Sequence, residues 1–274
     1  MTSHRQKKIA VINDMSGFGR CSITVSLPVI SRLKVQCCPV PTAILSNHTG
    51  YDRYFFDDYT EKMPEYIRNW EYLGLKFDGI YPGFLGSARQ IDIVEDFIRR
   101  FRTEQTLVIL DPVMGDHGKP YATCTKEMCS RMKRLVGYAD IITPNVTEAC
   151  ILTDTPYKEH WKKEEIRRLA GKLGEQGPQK IVITGIVQGN YIANYVCENG
   201  EDHFLRSVRV GTQRCGTGDL FASIIAADAV NHVDFAVSVK KASNFVKRCI
   251  QTSIDMDIPV TDGVAFEEVL EYLR

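Results

Sequence analysis

A glycine-rich turn that ends in a carboxylate carries the strongest chemical signal in this 274-residue sequence. It reads Gly216-Thr217-Gly218-Asp219 and precedes an apolar run, 220–230, that is typical of a helix. Glycines let backbone N–H groups converge, and a helix N-terminus adds partial positive charge, so the turn suits a phosphate. Asp219 could accept the proton of a hydroxyl that attacks this phosphate. The same residues could also form only a glycine turn and a helix cap.

Further carboxylates follow two predicted strands. Asp111 and Asp116 enclose the sequence Pro-Val-Met-Gly, and Glu148 comes three residues after Asn145. Carboxylates in such loops commonly hold Mg²⁺ near phosphates, directly or through water. Each also has a structural interpretation, because Asp-Pro ends many strands and Glu148 could form a capping box with Asn145. Together the two loops favour one shared site for a metal and a nucleotide.

These residues must be positioned by a regular framework, and the chain supplies one. Apolar runs that suit β-strands alternate with amphipathic segments, which predicts a mostly parallel sheet with helices on both faces, in one α/β domain over residues 1–274. Ligands bind such sheets beyond the carboxyl ends of the strands, where the polar loops fall. The predicted strands are 8–13, 35–45, 77–81, 106–110, 140–143, 180–184, 191–197 and 203–210. The predicted helices are 22–33, 61–75, 87–102, 125–136, 147–153, 162–173, 220–230, 235–252 and 265–270.

Turn-forming residues and prolines refine the prediction for three of these segments. Small residues at 16–19 predict a tight turn from which Ser16 could reach a small ligand. Pro39 and Pro41 indicate an edge or bent strand, because proline cannot donate to a sheet. The sequence Glu-Asn-Gly-Glu at 198–201 predicts a hairpin between two strands.

Composition excludes several classes of protein. The 34 basic and 34 acidic residues give zero net charge, and 44% of the chain is hydrophobic, so we expect a folded protein without the basic stripe of a nucleic-acid binder. No apolar run approaches the ~20 residues of a membrane span. Nine scattered cysteines, an odd number without a CxxC pair, favour a reducing compartment, and we expect a cytoplasmic protein.

Taken together, the motifs resemble those of pyridoxal kinases in the ribokinase-like superfamily. Four segments carry the resemblance in the family's order, namely 46–51 (Ser-Asn-His-Thr-Gly-Tyr), 111–116 (Asp-Pro-Val-Met-Gly-Asp), 139–145 (Ala-Asp-Ile-Ile-Thr-Pro-Asn) and 216–222 (Gly-Thr-Gly-Asp-Leu-Phe-Ala). Many sugar and vitamin kinases share the last of these, whereas segment 46–51 points to the vitamin B6 branch. The resemblance implies a three-layer α/β/α ribokinase-like fold.

The same resemblance implies an activity, the ATP-dependent phosphorylation of the 5′-hydroxyl of pyridoxal, pyridoxamine or pyridoxine. Asp219 would then be the catalytic base, and the turn before it would be the anion hole, formed by Gly216, Thr217 and Gly218. The residues expected to organise Mg²⁺ and its waters are Asp111, Asp116 and Glu148. Those expected to contact the nucleotide are Asp111, Thr143, Asn145, Thr184 and Thr217. The family is also commonly dimeric and often uses a monovalent cation such as K⁺.

For the B6 substrate, the resemblance implies a ring pocket and a cover. The residues expected there are Ser16, Ala43, Leu45, Thr49, Phe84 and Tyr121. Phe84 falls where relatives often have a tyrosine, so its ring has no hydroxyl to offer. Tyr121 lies in the stretch after Asp116 and would close over the substrate to exclude water.

Two other functions stay open on the sequence. A related kinase could act on hydroxymethylpyrimidine or a sugar, although a sugar kinase is not expected to carry segment 46–51. A nucleotide or pyridoxal-phosphate sensor could keep the fold without catalysis. Asp219, Asp111 and Asp116 argue against a sensor, which needs no base.

Overall fold

The computed structural model describes residues 5–274 and contains strands and helices in alternation. The strands are β1 Lys8–Phe18, β2 Gln36–Asn47, β3 Phe56–Asp58, β4 Gly79–Pro82, β5 Leu107–Leu110, β6 Gly115–Asp116, β7 Lys119–Pro120, β8 Ile141–Ile142, β9 Lys180–Gln188, β10 Tyr191–Glu198 and β11 Glu201–Val208. The α-helices are α1 Ser22–Arg32, α2 Met63–Tyr72, α3 Ala88–Phe101, α4 Lys126–Val136, α5 Val146–Leu152, α6 Lys163–Gly174, α7 Thr217–Val230 and α8 Phe235–Asp255. Two 3-10 helices, Val260–Asp262 and Glu267–Tyr272, complete the chain.

Within residues 5–274, nine strands form one sheet in the order β11-β10-β9-β8-β5-β4-β1-β2-β3. The six strands from β9 to β2 are mutually parallel, and antiparallel strands lie outside them at both ends. The remaining pair, β6 and β7, forms a separate small hairpin. This arrangement confirms the predicted fold class of a mostly parallel sheet in an α/β protein.

Helices cover both faces of the sheet because its central strands are apolar on both sides. Along β1, Ile9 and Val11 pack in one buried cluster with residues of α1, α7 and α8, whereas Ala10 and Ile12 pack in another with residues of α2 to α6. Alternate side chains of a strand point to opposite faces, so one continuous apolar run supplies both cores. The result is the three-layer α/β/α architecture expected from the sequence.

Most predicted elements are present, and the differences have local causes. The predicted turn at 16–19 is wrong, because β1 stays paired to β2 as far as Phe18 and bends only afterwards. The last predicted helix, 265–270, is a 3-10 helix over Glu267–Tyr272. The short strand β3 and the hairpin of β6 and β7 were not predicted, since three-residue and two-residue strands carry no periodic pattern.

The two prolines of β2 confirm the edge-strand interpretation. The N–H of Gln36 donates to Lys7 on β1, so by alternation the backbone nitrogens of Pro39 and Pro41 face away from β1. On that outer side, β3 pairs only with Ala43–Leu45. The prolines therefore interrupt no sheet hydrogen bond.

Two expectations on composition can be compared with the structure. No helix among residues 5–274 combines the length and the apolar character needed to cross a membrane. All nine cysteines are free thiols, and three of them, Cys21, Cys150 and Cys249, are buried.

Candidate active site

The predicted polar loops meet at the carboxyl edge of the parallel strands, where α7 begins. Asn13 on β1 donates to the Asp219 carboxylate of α7 across 3.3 Å. Beyond β5 and β8, the Thr143 hydroxyl donates to Asp111 at 2.8 Å. The chain thus gathers at one edge residues that are up to 206 positions apart in sequence.

The turn before α7 is shaped by tight backbone packing. Gly216 has a φ of 80°, and a Cβ atom at this position would collide with the carbonyl oxygen of Arg20. The Thr217 hydroxyl donates to the carbonyl of Arg214 at 3.0 Å. The N-cap residue of α7 is Gly216, which has no side chain to cap the first turn, so N–H groups there can meet an anion. This geometry supports the predicted anion hole.

A C-terminal segment, Ile258–Gly263, holds both the turn and a second loop in place. The buried Arg214 donates to the carbonyls of Ile258, Pro259 and Gly263 at 2.8–3.2 Å. From the loop after β2, His48 bonds the carbonyl of Thr261 at 2.6 Å. The hydroxyl of Tyr51 donates to Asp262 at 2.8 Å. One segment therefore couples the glycine turn before α7 to the loop after β2, which carries segment 46–51.

Asp219 sits in a set of neutral donors that suits a base. Asn13 donates to its carboxylate, and the backbone N–H of Ser22 lies close to it. Burial raises the pKa of Asp219 to about 6, with a further increase from the charge of Asp14, while these donors oppose the shift. A pKa in this range leaves the group ionised at neutral pH and basic enough to take a proton.

Asp111 and Glu148 are buried more deeply than Asp219. Burial raises the pKa of Asp111 to about 7, although the hydrogen bond from Thr143 opposes the shift. Burial and the charge of Asp111 also raise the pKa of Glu148 well above its ordinary value. Glu148 accepts from the N–H groups of Met114 at 3.2 Å and Asn145 at 2.8 Å. The capping box with Asn145 is present, so Glu148 has a structural function whatever else it does.

Asp116 lies at the hairpin of β6 and β7, within reach of the turn before α7. Its carboxylate accepts from the N–H of His117 at 2.7 Å and from the side chain of Gln213. The contact with Gln213 closes one side of the site. Asp116 therefore links the loop after β5 to the chain that enters the anion hole.

The described part of the chain contains no group of three His, Cys, Asp or Glu residues that could hold a metal ion alone. Mg²⁺ usually takes only one or two carboxylates and completes its shell with phosphate oxygens and water. Asp111 fits that pattern, because one of its two oxygens accepts from Thr143 and, among residues 5–274, no donor forms a hydrogen bond with the other. Both oxygens of Glu148 and of Asp116 already accept hydrogen bonds. The donor set fits a metal that arrives with a phosphate.

Two of the residues predicted to contact the nucleotide lie side by side. Asn145 and Thr184 form an isolated parallel bridge, in which the Thr184 N–H donates to the carbonyl of Pro144 at 2.9 Å. The Asn145 side chain donates to the carbonyl of Gly115 at 2.8 Å. These bonds join strands β6 and β9 to the loop after β8, which also contacts Asp111 through Thr143.

The predicted substrate residues of β1, β2 and the loop after β4 are also neighbours. Ser16 is paired with Leu45 in the register of β1 and β2, and Ala43 lies two residues before Leu45, buried in β2. The N–H of Phe84 donates to Asn13 at 2.9 Å, and its carbonyl accepts from Thr42. Because Asn13 also contacts Asp219, the backbone of Phe84 lies near that carboxylate.

The other two predicted substrate residues lie on exposed loops. Thr49 is exposed beside His48, and Tyr121 is 43% exposed. The N–H of Tyr121 donates to the carbonyl of Met114 at 2.9 Å. Burial and the charges of Glu148 and Asp116 raise the pKa of the Tyr121 phenol, so its hydroxyl lies near those carboxylates. A covering role for Tyr121 stays a prediction.

Three residues of this site were absent from the predicted set. They are Asn13, Asp14 and Ser22. A polar Asn-Asp pair directly after an apolar strand was a usable signal, because ligands bind beyond such strand ends. Ser22 lies in ordinary local sequence, and only tertiary contacts bring it to the carboxylates.

Comparison with known proteins shows to which family this chain belongs. The family model for phosphomethylpyrimidine kinase matches residues 23–261. The chain is 30% identical over 244 residues to a pyridoxine/pyridoxal/pyridoxamine kinase of Bordetella avium, covering 85% of this chain and 81% of that protein. The chain belongs to this family. It is a pyridoxal kinase-like group of the ribokinase-like superfamily, as the sequence motifs indicated.

Two other relatives show the breadth of the family. The chain is 28% identical to the thiamine biosynthetic bifunctional enzyme TH1 of Arabidopsis thaliana, covering 91% of this chain but about half, 47%, of that longer protein. A crystal structure from Bacteroides thetaiotaomicron, assigned to the phosphomethylpyrimidine kinases and solved with pyridoxal, superposes with a TM-score of 0.95. Its sequence is 37% identical, and the match covers 98% of this chain and 96% of that one.

The family's glycine turn generates a first prediction. Gly216→Ala should lower the free energy of unfolding by at least about 1–2 kcal/mol, because a left-handed backbone is costly for alanine and the new Cβ collides with Arg20. Urea denaturation measures the change. Gly218→Ala is the matched control, since a Cβ there meets no atom within 4 Å. Equal stability of the two variants would contradict the packing described for this turn.

The buried carboxylate of Asp111 generates a second prediction. An aspartate ionises near 3.8 when unfolded but near 7 here, so the folded state binds more protons between these values and loses stability as pH rises. Without Mg²⁺ and nucleotide, Asp111→Asn should therefore melt higher than the unmodified protein by a few degrees at pH 8. The difference should shrink towards pH 5. Thermal melts across this range test it, with exposed Asp255→Asn as control; a difference that does not change with pH would contradict it.

Proposed function

We propose that this protein transfers the terminal phosphoryl group of ATP to the 5′-hydroxyl of a vitamin B6 compound. The observation that carries the proposal is the position of Asp219, which combines a raised pKa with an uncapped helix N-terminus. Asn13 connects this base directly to the loop of Phe84 and hence to the predicted ring pocket. A base, an anion site and a pocket therefore adjoin one another.

The proposed reaction needs little covalent chemistry from the protein. The substrate hydroxyl gives its proton to Asp219 while its oxygen forms a bond to the terminal phosphorus. The bond from that phosphorus to the bridging oxygen breaks, and ADP leaves with the electron pair. The N–H groups at Gly216–Gly218 stabilise the charge on the transferring phosphoryl oxygens. Asn13 holds the base towards the hydroxyl.

The acidic residues around Asp111 would hold Mg²⁺ when it arrives with the nucleotide. Bound there, the ion would neutralise phosphate charge and orient the phosphates for transfer. Asp111 would be the direct ligand, with Asp116 and Glu148 acting through water because their oxygens already accept hydrogen bonds. Thr143, Asn145, Thr184 and Thr217 would contact the nucleotide. A homodimer and a requirement for K⁺ stay predictions of the family resemblance, and a cytoplasmic location stays a prediction from the cysteine pattern.

Two features support a B6 compound over its nearest alternative. Segment 46–51 carries the B6-type motif, and its His48 and Tyr51 anchor it beside the anion hole. The Bordetella relative is named for B6 compounds, and the Bacteroides structure was solved with pyridoxal. The alternative is a hydroxymethylpyrimidine kinase, which the matched family's description and the thiamine biosynthetic relative favour.

The proposal is tested by ADP release from Mg-ATP with a panel of acceptors. Pyridoxal, pyridoxamine, pyridoxine, hydroxymethylpyrimidine and ribose are each offered to the purified protein. We expect turnover with at least one B6 compound, at a kcat/KM well above that for hydroxymethylpyrimidine. A reversed order would replace the B6 assignment by the pyrimidine alternative, and activity on ribose alone would refute both.

The role of Asp219 generates a third prediction. Asp219→Asn keeps the shape of the side chain but removes the proton acceptor, so kcat should fall by at least about 10²-fold while ATP still binds. Turnover and nucleotide affinity are measured separately, by ADP release and calorimetry. Asp255→Asn, an exposed carboxylate at the end of α8, serves as the control. Near-normal turnover of Asp219→Asn would refute its role as the base.

A further inference from the structure

An irregularity in the sheet lies directly beside the proposed base. The register of β1 and β2 runs from Asn13 paired with Pro41 to Met15 paired with Ile44, so two residues of β2 face the single Asp14. Such shifts re-aim side chains and often occur near active sites. Here Asn13 and Asp14 are consecutive, and both are buried. Asn13 bonds the start of α7, and Asp14 bonds the start of α1.

Asp14 is held by hydroxyl groups and has no cationic partner. It accepts from the Ser22 hydroxyl at 2.6 Å and from the Ser16 hydroxyl at 3.0 Å, and it is 6% exposed. Among residues 5–274, no Lys or Arg forms an ion pair with it. A buried carboxylate without such a partner costs stability. Neutral or apolar residues would serve a purely structural purpose at lower cost.

Ser22 connects Asp14 to the base through its backbone. It opens α1 with a φ of 54°, a left-handed conformation that is uncommon for serine. In this conformation the N–H of Ser22 lies close to the Asp219 carboxylate, whose pKa it lowers, while the Ser22 hydroxyl donates to Asp14. The strained residue is thus held between two carboxylates, and strain of this kind persists only where the surroundings enforce it.

We propose that Asp14 is a positioning residue for Asp219. It clamps the Ser22 hydroxyl and so keeps the Ser22 N–H on the Asp219 carboxylate. Together with Asn13, this N–H fixes the orientation in which Asp219 meets the substrate hydroxyl. The inference rests on the proposed phosphoryl transfer, because it assigns Asp14 a role only through the base.

Comparing Asp14→Ala with Asp14→Asn tests this inference. Alanine cannot accept from Ser22, so kcat should fall about tenfold to hundredfold while the KM for ATP stays within about twofold, because the anion hole is untouched. Asparagine offers an amide oxygen to Ser22 and an amide N–H to Ser16, so its kcat should recover to within about threefold of the unmodified protein. Steady-state kinetics with Mg-ATP and the best B6 acceptor provide both constants.

Further variants keep the test decisive if Asp14→Ala fails to fold. Ser22→Gly retains the backbone N–H and the positive φ but loses the hydroxyl clamp, so kcat should again fall with little change in the KM for ATP. Ser26→Ala is the control, because Ser26 lies one turn later on α1 and bonds neither carboxylate. It should keep kcat.

Three outcomes would overturn the inference. The first is an unchanged kcat in folded Asp14→Ala. The second is an effect of that substitution on the KM for ATP alone, and the third is a kcat of Asp14→Asn as low as that of Asp14→Ala. Failure of the proposed function looks different, since Asp219→Asn would then retain turnover. If Asp219→Asn is inactive while Asp14→Ala turns over normally, only the positioning role is lost.

Discussion

Buried carboxylates without cationic partners are the constraint on which this site depends. Asp14, Asp111 and Glu148 are buried at the carboxyl edge of the sheet, with Asp219 beside them, and none forms an ion pair with Lys or Arg within residues 5–274. Hydroxyl and backbone N–H donors stabilise them instead. Burial still raises their pKa values, so the site is short of positive charge. A metal that arrives with a nucleotide would supply that charge, and the N–H groups of α7 would meet the phosphates.

The balanced charge of the whole chain reflects its surface and says little about this edge. Arg131 and Arg134 of α4 both pair with Asp92 of α3, whose side chain is 47% exposed. Pairs of this kind contribute little to stability, because water screens them and long side chains lose freedom. The charge of these two arginines is therefore spent outside the site. A protein with zero net charge can accordingly bind a polyanion through backbone dipoles and a metal.

Rigidity at the site comes from chain segments that are distant in sequence. The segment Ile258–Gly263 accepts from Arg214, which fixes the anion hole, and contacts His48 and Tyr51, which fix the loop after β2. The 3-10 geometry of this segment gives no periodic pattern in the sequence. The sequence also does not distinguish a buried arginine that donates only to carbonyls, such as Arg214, from an arginine on the surface. The sequence thus predicted roles for the turn and the loop but gave no sign of the segment 258–263 that joins them.

The sequence by itself determined the alternation of strands and helices, the parallel sheet and the loops that carry the chemistry. It could do so because apolar periodicity, glycine turns and carboxylates at strand ends are local properties of the chain. Tertiary structure alone decided that Asn13 donates to Asp219, that the N–H of Ser22 lies close to the same carboxylate, and that two residues of β2 face Asp14. It also decided the φ of Ser22 and the pKa values of the carboxylates. Such features depend on packing between remote segments and on burial, which no window of sequence contains.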